Sequence, residues 1–181
     1  TRLRQITLAP EILGIEANSA KEEWLLDFIE DNQDEKIIIF SSFTSYLKML
    51  KDKIGERAVM IHGEMSTDEK QRAASAFQKG EKGVNILLSN IVAGGTGWTL
   101  DKASTTIFLD RHFNPTLNEQ AEDRMVDTRE GSTQAKTVID VIVKDTIDEH
   151  IHQLLNKKVD IIKYVNDYGI SKLIEGRVDN D

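Results

Sequence analysis

Two segments of the sequence carry residues whose types and spacing suit the binding of phosphate groups. The first is SNIVAGGTGWTL, residues 89–100, in which Gly94, Gly95 and Gly97 fall within four positions. Glycines let the backbone approach a ligand closely, and successive exposed N–H groups form a concavity that suits phosphate oxygens. The segment lacks both the Gly-Lys-Ser/Thr of a P-loop and the third glycine of a dinucleotide fingerprint. A tight turn without a ligand is therefore an equally good interpretation of this cluster alone.

The second segment is NPTLNEQAEDRMVDTREG, residues 114–131. Gln120 and Arg124 are four residues apart, so a helix places an amide and a guanidinium on one face. Near the carboxyl end of a strand, such a pair can reach a shared polyphosphate. A solvated polar face, on which Glu119 and Asp123 are neighbours, explains the same spacing without any ligand.

Several helices are needed to position these segments, and four of them begin with a recognisable pattern. In each, a serine or threonine is followed three residues later by a glutamate, which is the capping box that satisfies backbone N–H groups at a helix start. The pairs are Ser19–Glu22, Ser66–Glu69, Thr116–Glu119 and Thr146–Glu149. After Thr146, apolar residues recur at steps of three and four and predict a long C-terminal helix with one apolar face.

Between the predicted helices lie short apolar runs rich in β-branched residues. Such runs, without polar alternation, are typical of strands covered on both faces. Strands that alternate with helices indicate βαβ units and a parallel sheet. The sequence therefore predicts an α/β fold, a doubly wound and mainly parallel sheet flanked by helices, with a C-terminal helical extension. The runs are 37–40, 59–61, 84–88, 106–109 and 138–143.

The domain organisation follows from the flanks of this pattern. Residues 1–18, which include Pro10 and Gly14, are interpreted as a connector from an upstream lobe. Residues 19–168 form the predicted α/β domain, and residues 169–181 are expected to form a frayed tail.

Composition limits the possible functions. The net charge of −8 argues against tight nucleic-acid binding by this chain alone, because phosphate binders usually carry a basic patch. Screening within about 8–10 Å makes local charge matter more than the total. No cysteine is present, and His150 and His152 lie on different sides of a helix, so no metal site is predicted. No apolar run is long enough for a bilayer, so no membrane association is expected.

Ligands of an open parallel sheet bind outside the carboxyl ends of its strands. The residues that follow the predicted strands are therefore the ones to consider. They are 41–43, 62–63, 89–97, 110–115 and the helix that carries Gln120 and Arg124.

The order of these segments resembles that of a known family. It is similar to motifs IV, IVa, V and VI of SWI/SNF-type superfamily 2 helicases and translocases, and LRQI (3–6) and DTIDEHI (145–151) resemble that family's flanks. Single motifs have low specificity, whereas the ordered set is distinctive. The matching segments are KIIIFSSF (36–43), IHGEMSTDEKQRAASAFQKG (61–80), LLSNIVAGGTGWTL (87–100) and IFLDRHFNPTLNEQAEDR (107–124).

The resemblance implies a RecA-like C-terminal lobe that closes on an N-terminal RecA-like lobe across an ATP cleft. ATP with Mg²⁺ is the implied cofactor, held mainly by the other lobe. The implied partner is DNA, expected as a duplex and contacted through its backbone. The residues facing the nucleotide would be Gly97, Gln120 and Arg124. The residues facing the nucleic-acid backbone would be Ser41, Ser42, His62, Gly63, Ser89, Asn90, Gly94 and Gly95.

One departure from the family pattern concerns a catalytic residue. The second arginine of motif VI falls at Asp127, where a carboxylate would repel the transferring phosphoryl group. Arg129 lies five residues after Arg124, so it can replace the missing arginine only if the helix ends near Thr128. We therefore predict a helix end there, and Arg124 and Arg129 as the catalytic arginines.

The implied function is the second motor lobe of an ATP-dependent DNA helicase or translocase, expected to be inactive in isolation because no lysine-bearing phosphate loop occurs in this sequence. Three alternatives stay open: the equivalent lobe of an RNA helicase, a catalytically dead adaptor lobe for protein contacts, and an unrelated nucleotide or sugar binder. The expected location is cytoplasmic for a bacterial or phage protein, which the compact lobe favours, or nuclear for a eukaryotic one.

Overall fold

The computed structural model describes residues 2–17, 19–94, 100–124 and 135–168, the last ten as backbone. Six helices and five strands lie along these ranges, with short 3₁₀ turns between some of them. The helices are α1 (Arg2–Leu8), α2 (Ala20–Asp31), α3 (Thr44–Ile54), α4 (Thr67–Lys79), α5 (Pro115–Asp123) and α6 (Ile147–Tyr168). The strands are β1 (Ile37–Ser41), β2 (Ala58–Ile61), β3 (Ile86–Asn90), β4 (Thr105–Phe108) and β5 (Thr137–Asp140).

The strands form one parallel sheet in the order β2-β3-β1-β4-β5. β1 is central, with Ile37 opposite Ile86 of β3 and Thr105 of β4. Because all strands are parallel, their carboxyl ends lie at one edge of the sheet. This architecture confirms the fold class that the sequence predicts.

Two apolar layers cover the sheet, as a doubly wound fold requires. Ile37 and Ile39 point into a layer formed with α1, α2 and α3, whereas Ile38 and Phe40 point into a layer formed with α4 and α5. All five side chains of β1 are buried. The alternation of successive residues between two apolar layers explains why the first four residues of β1 are all apolar.

The segment 2–13 packs on the first of these layers. Leu8 and Ala9 are fully buried there, and the Ser19 hydroxyl donates a hydrogen bond to the Leu8 carbonyl at 2.5 Å. A connection from this segment to an upstream lobe stays a prediction. The segment itself is part of the apolar core.

The predicted helix starts agree with the structure in part. Ser66 and Glu69 form a complete capping box, and Ser19 caps α2 by accepting from the Glu22 N–H. Thr146 accepts from the Asp148 N–H at the start of α6. The predicted cap at Thr116 is wrong: Asn114 caps α5, and Pro115 occupies the first helical turn. Proline fits that position because its missing N–H has no partner to lose there.

The last strand differs from its prediction. β5 ends at Asp140, although the Val141 N–H still donates to the Phe108 carbonyl of β4 at 2.9 Å. The Val143 N–H is satisfied by the Asp148 carboxylate instead of a neighbouring strand. β5 is also not covered on both faces, since Val138 is 43% exposed. Apolar composition alone did not distinguish this edge strand from a central one.

Helix α6 crosses the end of the sheet near α1 and α2. Asp148, in its first turn, forms a buried ion pair with Lys21 of α2 at 2.6 Å and accepts from the Thr7 hydroxyl of α1. Ile151 and Leu155, four residues apart, are buried on one face of α6. Among the described residues, no helix combines the length and apolarity needed to cross a bilayer.

Candidate functional site

The carboxyl edge of the sheet brings together most residues that the sequence singled out. Ser41 lies opposite Asn90 in the register of β1 and β3, and Ser89 lies opposite Ile61 of β2, directly before His62. The predicted shared edge for these segments is therefore confirmed. We refer to the loops that follow β1, β2, β3 and β4 as the carboxyl rim.

Asp110, just beyond β4, organises the centre of the carboxyl rim. Its carboxylate accepts a hydrogen bond from the Ser41 hydroxyl at 2.5 Å and from the Ser42 N–H at 3.1 and 3.2 Å. The Ser41 hydroxyl in turn accepts from the Phe43 N–H at 3.1 Å. These bonds fix the loop between β1 and α3.

Arg4 of α1 completes this network. Its guanidinium donates to Asp110 at 2.5 Å, to the Arg111 carbonyl at 2.8 Å and to the Ser42 hydroxyl at 3.3 Å. The side chain is 9% exposed. Sequence reasoning missed Arg4, because its partners lie 38 to 107 residues away along the chain.

Asn90 joins the loop after β3 to the loop after β1. Its amide donates to the Ser42 carbonyl and to the Thr44 hydroxyl, both at 3.1 Å. Its side-chain oxygen accepts from the Val92 N–H at 3.0 Å. The two loops therefore form one continuous surface.

Two predicted contact residues lie beneath that surface. Ser41 is fully buried with its hydroxyl engaged by Asp110, and Ser89 is 2% exposed. The Ser41 hydroxyl holds the loop after β1 through Asp110, and the Ser89 hydroxyl donates to the neighbouring Asn90 carbonyl at 3.4 Å. A direct phosphate contact by either side chain stays a prediction.

His62 and Gly63 extend the rim beyond β2. Gly63 is exposed, and a Cβ built on it would meet no atom within 4 Å. The His62 ring is mostly covered, with its Nδ1 3.8 Å from the Glu64 carboxylate. Glu64 also lies 3.6 Å from Lys48 of α3, so this end of the rim has charges of both signs.

The glycine segment begins at this same rim. A short 3₁₀ turn, Val92–Gly94, follows β3, and Gly95 and Gly97 lie outside the described residues. Where the described chain resumes, the Leu100 N–H donates to the Arg124 carbonyl at 2.7 Å. Both ends of the segment are thus anchored, one at β3 and the other at the end of α5.

α5 ends at Asp123 with Arg124 as its cap. The Arg124 carbonyl, which a continuing helix would pair with residue 128, accepts the hydrogen bond from Leu100. The predicted helix end near Thr128 falls on residues that the structure does not describe. Arg129 and Asp127 themselves lie outside the described residues.

Arg124 is the cation with the most unusual surroundings at this site. Its guanidinium is half-buried, 6.0 Å from the centre of the Phe40 ring, and makes no ion pair within the described ranges. Burial lowers the pKa of Arg124, since desolvation penalises the charged form. A half-buried guanidinium of this kind gains stability from any anion that reaches it.

Gln120 lies one turn before Arg124 on α5 and is exposed. The start of α5 is held by Asn118, whose side chain exchanges two hydrogen bonds with the His112 backbone at 2.8 and 2.9 Å. α5 therefore presents its glutamine and arginine from a fixed position.

Arg111 shows a contrasting arrangement beside α5. Its guanidinium binds Asp140 through two hydrogen bonds at 2.5 and 3.0 Å, binds Glu122, and lies 3.6 Å from the centre of the Phe108 ring. Although burial opposes the charged form, Asp140 and Glu122 outweigh it and raise the pKa of Arg111. Arg111 thus has a structural role, whereas the charge of Arg124 has no anion of its own among the described residues.

These features define a RecA-like α/β lobe, and comparison with known proteins gives the family. Residues 20–128 match the helicase conserved C-terminal domain. The chain is 32% identical to ATP-dependent helicase FUN30 of Saccharomyces cerevisiae over 146 residues, and 32% identical to Protein CHROMATIN REMODELING 19 of Arabidopsis thaliana over 138 residues. The C-terminal domain of the Sulfolobus solfataricus SWI2/SNF2 ATPase superposes with a TM-score of 0.68 at 26% identity, covering 91% of this chain and 69% of that one.

The chain belongs to the helicase conserved C-terminal domain family and is of the SWI2/SNF2 type. The two aligned regions cover 79% and 75% of this chain but 13% and 18% of the FUN30 and CHROMATIN REMODELING 19 proteins. It therefore spans less than one fifth of the length of those relatives.

Proposed function

We propose that this chain is the second motor lobe of an ATP-dependent DNA translocase, and that its carboxyl rim binds the phosphate backbone of DNA. The observation that carries the proposal is that the chain leaves β3 through Val92–Gly94 at this rim, and that Leu100, where the described chain resumes, donates to the carbonyl of Arg124. A glycine-containing loop and a cation without an ion pair among the described residues are complementary to phosphate.

The rim presents neutral groups more than charged ones. Ser42 and Asn90 form its middle, and the exposed backbone at Gly63 extends it. Contacts of this kind position a protein on the sugar-phosphate backbone without reading base sequence. With a net charge of −8, the chain alone is expected to bind DNA weakly and with a marked dependence on salt.

The residues on α5 fit the nucleotide role that the resemblance implies. ATP with Mg²⁺ would supply the phosphoryl group whose hydrolysis drives movement. Gln120 is exposed, so its amide is available to orient a polar group of the nucleotide. Arg124, one turn further along, carries a partly desolvated positive charge. A fixed cation of this type stabilises negative charge that develops on a transferring phosphoryl group.

Catalysis in this proposal requires the N-terminal RecA-like lobe. The present sequence has no lysine-bearing phosphate loop, so the purified chain is expected to hydrolyse no ATP. The roles of Gly97 and Arg129 toward ATP, and of Gly95 toward DNA, stay predictions. A nuclear or cytoplasmic location also stays a prediction, and the preference for a bacterial or phage source gains no support from the yeast, plant and Sulfolobus relatives.

Charge changes at Gly63 test the DNA-binding rim directly. Because this position is exposed and open, Gly63→Lys and Gly63→Glu add a charge without a steric clash. One charge near a phosphate is worth about 1 kcal/mol in water, so the two variants should strengthen and weaken DNA binding by roughly fivefold each at low salt. Fluorescence anisotropy with a labelled duplex measures both effects.

The matched controls place the same charges at the opposite edge of the sheet. Gln33 is exposed just before β1, so Gln33→Lys and Gln33→Glu alter the net charge equally but far from the rim. Equal effects at both edges would mean that only total charge matters and would contradict the proposal. Competition by duplex RNA equal to that by duplex DNA would favour the RNA-helicase alternative, and absence of any binding would favour the adaptor alternative.

A further inference from the structure

Arg4 contacts two loops of the carboxyl rim from a helix outside it. Its guanidinium carbon lies 5.2 Å from the ring centre of Phe43, in the loop after β1, and 4.9 Å from that of Phe113, in the loop after β4. Cations at such distances from aromatic rings are attracted to them. Together with its hydrogen bonds to Asp110 and Ser42, these contacts make Arg4 the junction between α1 and the rim.

Asp110 depends on Arg4 for its charge balance. The Asp110 side chain is 4% exposed, and its other donors described above are the neutral Ser41 hydroxyl and Ser42 N–H. A buried carboxylate without a cationic partner favours protonation or entry of water. Either change weakens its hold on the Ser42 N–H.

We propose that Arg4 is a positioning residue for DNA binding: through Asp110 it holds the loop from Ser41 to Phe43 in the conformation that presents Ser42 to a phosphate. The effect of Arg4 on DNA binding rests on the proposed function, whereas its effect on the conformation of the loop does not require DNA. The function of Arg4 is thus exerted through Asp110 and not by contact with the ligand.

This arrangement links the loop to the docking of α1. α1 is held on the domain at a second place, where Thr7 donates to Asp148 of α6. If Arg4 joins the loop to α1, a ligand that stabilises the loop must also stabilise the docked helix, since thermodynamic coupling is reciprocal. DNA binding is therefore expected to slow amide exchange in α1 as well as at Ser42.

The test is amide hydrogen exchange on the whole chain, comparing wild type with Arg4→Gln and Arg4→Lys. Arg4→Gln should speed exchange at Ser42 and Phe43 at least tenfold, with core amides such as Leu87 changed less than twofold. Arg4→Lys keeps a charge for Asp110 and should give an intermediate increase. If Arg4→Gln does not fold, the comparison of Arg4→Lys with wild type still tests the inference. Arg2→Gln, an exposed arginine of the same helix, should change neither site.

The same variants are then titrated with duplex DNA. We expect Arg4→Gln to weaken binding severalfold and to abolish the DNA-dependent protection of α1. Unchanged exchange at Ser42 in Arg4→Gln, or a uniform increase across the core, would overturn the inference. If wild type bound no DNA while Arg4→Gln still loosened Ser42, the proposed function would fail, and the loop-holding role of Arg4 would stand on the exchange data.

Discussion

At the scale of single residues, two neighbouring arginines differ in what balances their charge. Arg111 is bound by Asp140 and Glu122, whereas Arg124 makes no ion pair with any described residue. Removing a paired cation leaves carboxylates without a partner, but removing an unpaired, desolvated cation relieves a cost. Binding sites commonly retain such unfavourable groups because the ligand needs them.

This contrast predicts opposite effects on stability. Arg111→Met should lower the free energy of unfolding by about 2 kcal/mol, since Asp140 and Glu122 keep some access to water. Arg124→Met should leave it unchanged or raise it by up to about 1 kcal/mol. Urea unfolding of both variants measures the difference. A large loss of stability in Arg124→Met would show that its charge is balanced within the protein.

The residues of the site were predictable from the sequence to different degrees. The four-residue spacing placed Gln120 and Arg124 on one helix, and strand ends placed Ser42 and Asn90 at one rim. Neither pattern reveals that Ser41 is buried, because burial depends on the partner Asp110, 69 residues away. Contacts across such separations are properties of the folded chain, and Arg4 was missed for the same reason.

At the scale of elements, the start of α4 offers a test of helix capping that depends on pH. Hydrogen bonds from the Ser66 hydroxyl and the Ser66 N–H lower the pKa of Glu69. A lowered folded pKa contributes stability that is present above the unfolded value of about 4.3 and is lost as pH falls through the folded pKa.

Glu69→Gln should therefore destabilise the protein at pH 7 and have a smaller effect at pH 3. The measurement is urea unfolding of variant and wild type at both values. Glu119→Gln is the matched control, because its helix is capped by Asn114 and not by the Thr116 of the apparent capping box. A loss of stability in Glu69→Gln that is the same at both pH values would contradict a stabilising role for the Glu69 carboxylate at the start of α4.

The attachment of α6 depends on a buried ion pair. Lys21 and Asp148 have side-chain exposures of 1% and 8%. Asp148→Asn leaves Lys21 buried without a full negative charge and should cost about 3 kcal/mol. The double variant Lys21→Met, Asp148→Asn should recover part of that loss, because neither charge then remains. In a double-mutant cycle, the losses of stability in the two single variants would sum to that of the double variant if the ion pair contributed nothing to stability.

Element types were easier to predict than their limits. Apolar, β-branched runs identified all five strands, although the edge strand β5 is not covered on both faces. The end of β5 and the cap of α5 depended on individual groups, namely the Asp148 carboxylate and the ring of Pro115. Patterns of residue type do not show which of several competing partners a backbone group will take.

At the scale of the whole molecule, the groups that stabilise the fold are distinct from those that we propose to bind DNA. Apolar layers, the Asp110 network and the Lys21–Asp148 pair hold the lobe together, and the rim presents backbone and neutral groups at one edge. The net charge of −8 is compatible with this division, because local groups determine phosphate contact within a screening length of about 8–10 Å. The chain's membership of the helicase conserved C-terminal domain family is consistent with this division.

The central claim is that the phosphate backbone of DNA binds at the carboxyl edge of the sheet and not at the opposite edge. Backbone amide chemical shifts of the ¹⁵N-labelled chain, recorded during a titration with a short DNA duplex at low salt, test it residue by residue. The account predicts shifts at Ser42, Gly63, Asn90 and Gly94 that reverse on addition of salt. Shifts concentrated at Asn85 and Ser104, on the opposite edge, would contradict it.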